Sequence, residues 1–248
     1  MLHVCVCKCI FTVCVCAEVG GSRGGIVGGR EAEPHSRPYL ASLQTRGTHD
    51  CGGVLVREDF VLTAAHCSGR YRVVLGAHSL RARESSKQKL EVQSYIRHPG
   101  FQVVGDDTDL MLLKLAGRAR LTREVRLIPL MQNPPAPGSL CSTAGWGDVG
   151  DNRTLADRLQ EVDVRILSQS ECARRWNLTI TEKMLCGTGQ QAFQGFCSGD
   201  SGGPLVCSGE LAGLISFSGM ECANPSTPDV YMRVSANLPW IQEVIDNN

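Results

Sequence analysis

The sequence has no excess of charge of either sign: 25 Lys and Arg stand against 25 Asp and Glu, the formal net charge is zero and the pI is about 7.0. Nothing in that balance draws the chain to nucleic acid or to an acidic membrane surface. After position 25 there is no apolar run approaching the roughly 20 residues a membrane helix needs, so no membrane span is expected. Metal-ligand spacings are missing as well. No His-x-x-x-His or Cys-x-x-Cys occurs, and neither a metal nor another cofactor is expected. No internal repeat stands out, and no low-complexity tract follows the N-terminal region.

The 248 residues, 42% of them hydrophobic, are enough to bury the core of one large domain or two small ones. There are 13 cysteines, an odd number, but Cys5, Cys7, Cys9, Cys14 and Cys16 fall in the first 16 residues. The remaining eight can all pair, which suits an oxidising secretory compartment. Residues 1–17 are apolar and end Val15-Cys16-Ala17, a small-residue pattern that reads as a signal peptide, although Lys8 sits unusually mid-segment. A structured N-terminal strand is the alternative. Glu18 to Gly25 then form a short pro-segment, so 1–25 stand apart from the mature chain.

From Arg37 onward, short alternating apolar runs are broken by Gly, His and charged residues, as at Cys51–Val56, Tyr71–Leu75, Lys89–Ile96 and Leu110–Leu115. Regular short strands with turn signals predict an antiparallel all-β barrel or sandwich. Only the tail, Ser235 to Ile245, has apolar residues at helical spacing. Asn133-Pro134-Pro135-Ala136-Pro137-Gly138 is a stiff, strand-breaking linker, which divides the chain into 26–132 and 133–248. Two sequons, at Asn152 and Asn177, fit exposed loops that could carry glycan.

The segment Gly199-Asp200-Ser201-Gly202-Gly203-Pro204 organises the rest. Glycines around an acid and a serine allow a backbone bend that lifts one hydroxyl clear while neighbouring N–H groups converge. A serine hydroxyl is a weak nucleophile unless a base and an orienting acid accompany it. His66, in Ala64-Ala65-His66-Cys67, offers an imidazole that can take a proton at neutral pH. Asp109, directly before Leu110-Met111-Leu112-Leu113, offers the acid, with Asp106 and Asp107 as competitors.

These three segments, in the order His, Asp, Ser, resemble the chymotrypsin family of serine endopeptidases, and the resemblance runs from Ile26 to the C-terminus. The resemblance implies two antiparallel β-barrels packed face to face with a C-terminal helix, the active site lying in the cleft between them. It singles out Asp109 as the acid, and Ser201 as nucleophile with the N–H groups of Gly199 and Ser201 as oxyanion hole. It implies the disulfides Cys51–Cys67, Cys141–Cys207, Cys172–Cys186 and Cys197–Cys222. It further implies a zymogen, in which cleavage before Ile26-Val27-Gly28-Gly29 frees an ammonium that folds inward and pairs with Asp200. Because Arg23-Gly24-Gly25 leaves no basic residue at that bond, trimming of Gly24-Gly25 by a dipeptidyl peptidase is the expected activation step.

In the family the pocket floor is six residues before the serine, here Gly195, so simple trypsin-like recognition is unsupported. Phe196 is expected to narrow or close the pocket, with Ser216-Phe217-Ser218-Gly219 as its wall and Asp229 at its far end. This combination is similar to a neutrophil serine protease type that has an occluded pocket yet cleaves after arginine, with Ser198 and Ser218 meeting the guanidinium at the rim. The alternative is an elastase or proteinase 3 type of pocket for small aliphatic residues. A third reading, a catalytically dead relative that only binds, is weakened by the intact triad. The expected partners are protein or peptide substrates and protein protease inhibitors, and the expected state is a monomer, secreted or stored in granules. Against granule storage, Lys8, Glu18 and Arg23 are the charges before Ile26, so the remainder carries 23 basic and 24 acidic residues rather than a strong positive excess.

Overall fold

The computed structural model describes residues 6–10, 13–17, 26–149 and 154–248. Strands β1 (Val6–Ile10) and β2 (Val13–Ala17) pair antiparallel with each other, in a sheet separate from the rest. The pro-segment expected at 18–25 and the sequon at Asn152 lie outside the described residues.

Strand β3 (Arg30–Glu31) precedes a first barrel built from β4 (Leu40–Thr45), β5 (Thr48–Arg57), β6 (Phe60–Thr63), β7 (Arg72–Leu75), β8 (Gln88–Arg97) and β9 (Met111–Leu115). These six close in the order β4-β5-β6-β9-β8-β7, every pairing antiparallel. Closure leaves no unpaired edge. β8 alternates strictly between half-buried and exposed residues, the period-2 signature of a strand with one face in water. Its inner partners fill a core of Leu43, Leu55, Val61, Val73, Leu75 and Leu113.

The second barrel consists of β10 (Leu140–Gly145), β11 (Gln160–Ile166), β12 (Met184–Gly189), β13 (Pro204–Cys207), β14 (Glu210–Phe217) and β15 (Asp229–Arg233). The order is β10-β13-β14-β15-β12-β11, with β10 pairing back to β11 and β3 added outside β11. Between β11 and β12 lies α1 (Gln169–Arg175), which the sequence reading missed. Its signal was present: Ser168 is the N-cap and accepts the Glu171 N–H, the start of a Ser-x-x-Glu box. The tail is α2 (Val234–Asp246), close to the helix expected over 235–245.

The chain termini cross between the barrels. Residues after Ile26 add to the second barrel through β3 and the Val27–Gly195 bridge. Conversely, the end of α2 reaches the first, where Arg57 and Lys114 donate to the carbonyls of Ile245 and Asn248. Between the barrels, Trp146 is completely buried and donates its ring N–H to the His78 carbonyl at 2.9 Å. The disulfides Cys51–Cys67, Cys141–Cys207, Cys172–Cys186 and Cys197–Cys222 are all present. Each closes a loop whose constraint on the unfolded chain is worth about 2–4 kcal/mol. Among the described residues no helix is long and apolar enough to cross a membrane.

Candidate active site

Strand pairing brings the first two candidate residues together. In the β6–β9 ladder Thr63 faces Met111, so the residues just after β6 and just before β9 emerge at one barrel end. There His66 and Asp109 meet. The Asp109 carboxylate accepts from the His66 ring at Nδ1, 2.7 Å away, and from the His66 backbone N–H at 2.9 Å. A third hydrogen bond comes from the second barrel, where the Ser216 hydroxyl, at the end of β14, donates to Asp109 Oδ2 at 2.5 Å. Burial raises the Asp109 pKa, but the His66 hydrogen bond and charge, with Ser216 and the His66 backbone, outweigh it, and the net shift is downward. The carboxylate stays ionised and holds the imidazole proton at Nδ1, leaving Nε2 free to accept.

Asp106 and Asp107 have other partners. Asp106 caps the N–H groups of Gln102 and Val103, and Asp107 accepts from the Thr181 hydroxyl at 3.0 Å.

Ser201 sits in a bend most of whose backbone groups are hydrogen-bonded. Gly199 and Gly202 take φ of 92° and 76°, in the left-handed region open to glycine. A side chain on Gly202 would also collide with Thr63 Oγ1 and crowd the Ala64 N, because this bend packs directly on the loop carrying His66. The Ser201 carbonyl accepts from Gly52 N–H at 2.8 Å, and the N–H groups of Asp200, Gly202 and Gly203 bond Cys197, Ile215 and Asp200 carbonyls. Those of Gly199 and Ser201 have no acceptor among the described residues. No hydrogen bond joins Ser201 to His66; such contacts are commonly loose without substrate.

Sequence reasoning missed a histidine here. His49 is buried, its Nε2 donates to the Gly199 carbonyl at 2.9 Å, and its Nδ1 lies 2.8 Å from the Ser42 hydroxyl. Burial lowers its pKa to about 4, so the ring is neutral at physiological pH. No motif surrounds His49 that would have marked it.

Asp200 is enclosed. Its carboxylate accepts backbone N–H groups from Gly147 at 2.8 Å and Cys197 at 3.0 Å. Side chains at Gly145 or Gly147 would run into it, which explains the glycines flanking Trp146. Burial raises its pKa to about 7, against the two N–H groups that lower it, with Asp148 adding to the rise. Ile26, the first residue of the expected mature chain, is also completely buried, in one apolar cluster with Phe196 and Tyr231.

At the expected pocket floor, a Cβ on Gly195 would collide with Asp229 Oδ2, so only glycine fits. Asp229 accepts the Phe196 N–H at 3.1 Å, and burial, aided by Asp200, raises its pKa to about 8. The Phe196 ring is 3% exposed and meets Tyr231 edge-on at 5.3 Å. Ser216, the first residue of the expected wall strand, is 4% exposed and its hydroxyl is engaged by Asp109. Phe217 is half-buried against Trp176, while Ser198 is exposed and Ser218 partly so.

The comparisons with known proteins agree with the two-barrel fold. The Trypsin family model matches residues 26–241. The chain is 45% identical over 229 residues to serine protease 57 of Mus musculus, covering 89% of this chain and 81% of the relative. It is 44% identical over 230 residues to granzyme M of Rattus norvegicus, covering 89% of each. Among solved structures, mouse neuropsin, described as a serine protease expressed in the limbic system, superposes with a TM-score of 0.84 at 37% identity, covering 89% of this chain and all of that one. With two closed six-stranded barrels and a family match over most of its length, the chain belongs to the trypsin family of serine proteases.

Proposed function

We propose that the mature chain is an endopeptidase that works through an acyl-enzyme and prefers arginine before the cut bond. The observation that carries the reading is the ionised, triply hydrogen-bonded Asp109 set against His66 Nδ1, beside a serine bend with two unassigned N–H donors. In this mechanism Ser201 Oγ attacks the carbonyl carbon as His66 Nε2 takes its proton. The negative oxygen of the tetrahedral intermediate lies on the N–H groups of Gly199 and Ser201. His66 then protonates the leaving amine, the C–N bond breaks, and water repeats the sequence to release the acid and regenerate Ser201. Each N–H donor to the oxyanion is worth roughly 10²–10³ in rate.

Arginine preference follows from the filled floor. The reading is supported by the burial of Phe196, next to Gly195 in sequence, and Tyr231 in edge-on contact, taken as filling a deep pocket, and by the exposed Ser198 and partly exposed Ser218, taken as its rim. A planar guanidinium with five donors suits hydroxyls and carbonyls at that height. These pocket residues resemble those of neutrophil serine protease 4. The chain is made as a zymogen, the Ile26 ammonium of the cut form pairing with Asp200 to order the oxyanion loop. It acts as a monomer, secreted or stored in granules, on protein substrates and under protein inhibitors, with Asn177 exposed for glycan.

The test uses protein starting at Ile26 and two peptides differing only in arginine or valine before the cut. Faster hydrolysis at arginine is expected. Valine preference would move the enzyme to the elastase type, and turnover of neither would favour a binding role.

A further inference from the structure

The neutral overall charge conceals an uneven distribution. On the outer face of β4, β7 and β8 lies a groove of about 740 Å³ lined by Arg46, Arg70, Arg72 and Lys89, with Tyr71, Val92 and Tyr95. It shares Gln44 and Lys89 with a second groove of about 600 Å³ that adds Arg81 and Arg83. The acids nearby are engaged locally. Glu91 holds Arg72 at 2.6 Å, Glu84 accepts the N–H groups of His78 and Ser79, and Asp50 takes the Tyr71 hydroxyl. Arg46, Arg70, Lys89, Arg81 and Arg83 are exposed, and their side chains have no acid partner among the described residues.

The groove is tied to the catalytic loop. Arg70 and Tyr71 follow His66 by a few residues, and the Cys51–Cys67 disulfide joins that loop to β5. Arg97, at the end of β8, donates to the carbonyl of Ala65 beside His66. The specificity residues Gly195, Phe196 and Phe217 belong to the other barrel, so a substrate chain leaving them across Ser201 and His66 runs out over this loop. We infer that the groove is an exosite for an acidic segment of protein substrates, C-terminal to the cut bond; the inference rests on the endopeptidase reading above. Unpaired cations call for carboxylates. Tyr95, left 38% exposed in the groove, calls for an apolar side chain against its ring, which a peptide supplies and a sulfated polysaccharide does not.

The experiment has two arms. In the first, Ser201→Ala protein starting at Ile26 is titrated with a labelled peptide of Glu and Asp residues around one Phe, and with its Gln and Asn counterpart. The acidic peptide is expected to bind, and Arg70→Glu/Lys89→Glu or a rise from about 0.05 to 0.3 M salt to weaken it about tenfold. Equal binding of both peptides, or indifference to the double substitution, overturns the proposal. So does a sulfated oligosaccharide that binds where the acidic peptide does not. In the second arm, active protein cleaves a short substrate and the same substrate with the acidic segment on its leaving side. The extension is expected to raise kcat/KM several-fold in the native chain and not in Arg70→Glu/Lys89→Glu, with the short substrate cut equally by both. Equal rates for the two substrates overturn the exosite while the endopeptidase reading stands. Acidic-peptide binding with no cleavage of either substrate overturns the assigned role in catalysis, and with it the endopeptidase reading.

Discussion

Asp109 and Asp200 are both closed off from solvent, at 0% and 1% exposure, yet burial ends differently for the two. Asp109, at the seam between the barrels, gathers an imidazole and a hydroxyl as well as a backbone N–H, and its pKa falls. Asp200, inside the second barrel, has two backbone N–H groups and no side-chain cation among the described residues, and its pKa rises to about 7. Asp229, also buried, rises to about 8 with one N–H. Burial alone always favours the neutral carboxyl, and the partners decide the outcome. One carboxylate is held ionised by the side chains around it, while the other has only backbone donors among the described residues.

The largest break in that contrast is Asp109→Asn. The amide keeps the shape of the site but no longer fixes the imidazole proton at Nδ1, and kcat is expected to drop about 10⁴-fold with an unchanged thermal transition. A loss of tenfold or less, measured on the preferred peptide, would move the orienting role elsewhere. Smaller effects are expected from the residues that support the two regions. His49→Ala removes the donor holding the Gly199 carbonyl, and a fall in kcat of about 10–100-fold with little change in KM is expected. Ser216→Ala takes one of three hydrogen bonds from Asp109, with about a tenfold loss in kcat and a raised acid limb in the pH–rate profile. An unchanged profile would mean that the hydroxyl only fills space.

The same contrast shows what the sequence could reveal. The β-texture, the C-terminal helix and the bend at Ser201 were legible because each rests on local chemistry: period-2 alternation, helical spacing, and glycines where only glycine fits. The pairing of His66 with Asp109 was legible only as resemblance, since its cause is the β6–β9 register, a long-range fact. Ser216 on Asp109 and His49 on Gly199 were illegible for the same reason, each bond joining segments more than 100 positions apart. The helix at Gln169–Arg175 is a different case. Its cap was readable, but seven residues are too few for amphipathic spacing to declare itself.

The smallest expected effect concerns pH. In the uncut chain Asp200 and Asp229 have folded-state pKa values of about 7 and about 8, above the ordinary carboxylate value of 3.8. The folded protein then keeps protons that the unfolded chain has already released, so this contribution to stability is full below about pH 4 and is lost as pH rises toward 7 and 8. Pairing with the Ile26 ammonium would return Asp200 to the ionised state at every such pH and remove its share of the loss, leaving that of Asp229. Thermal unfolding of Ser201→Ala protein, uncut and starting at Ile26, should therefore give two Tm curves between pH 5 and 8 that diverge, the uncut form falling more steeply. An added Asp229→Asn substitution should flatten both curves and preserve the gap. Parallel curves would mean that Asp200 has the same partner before and after the cut, and the switch would have to lie elsewhere.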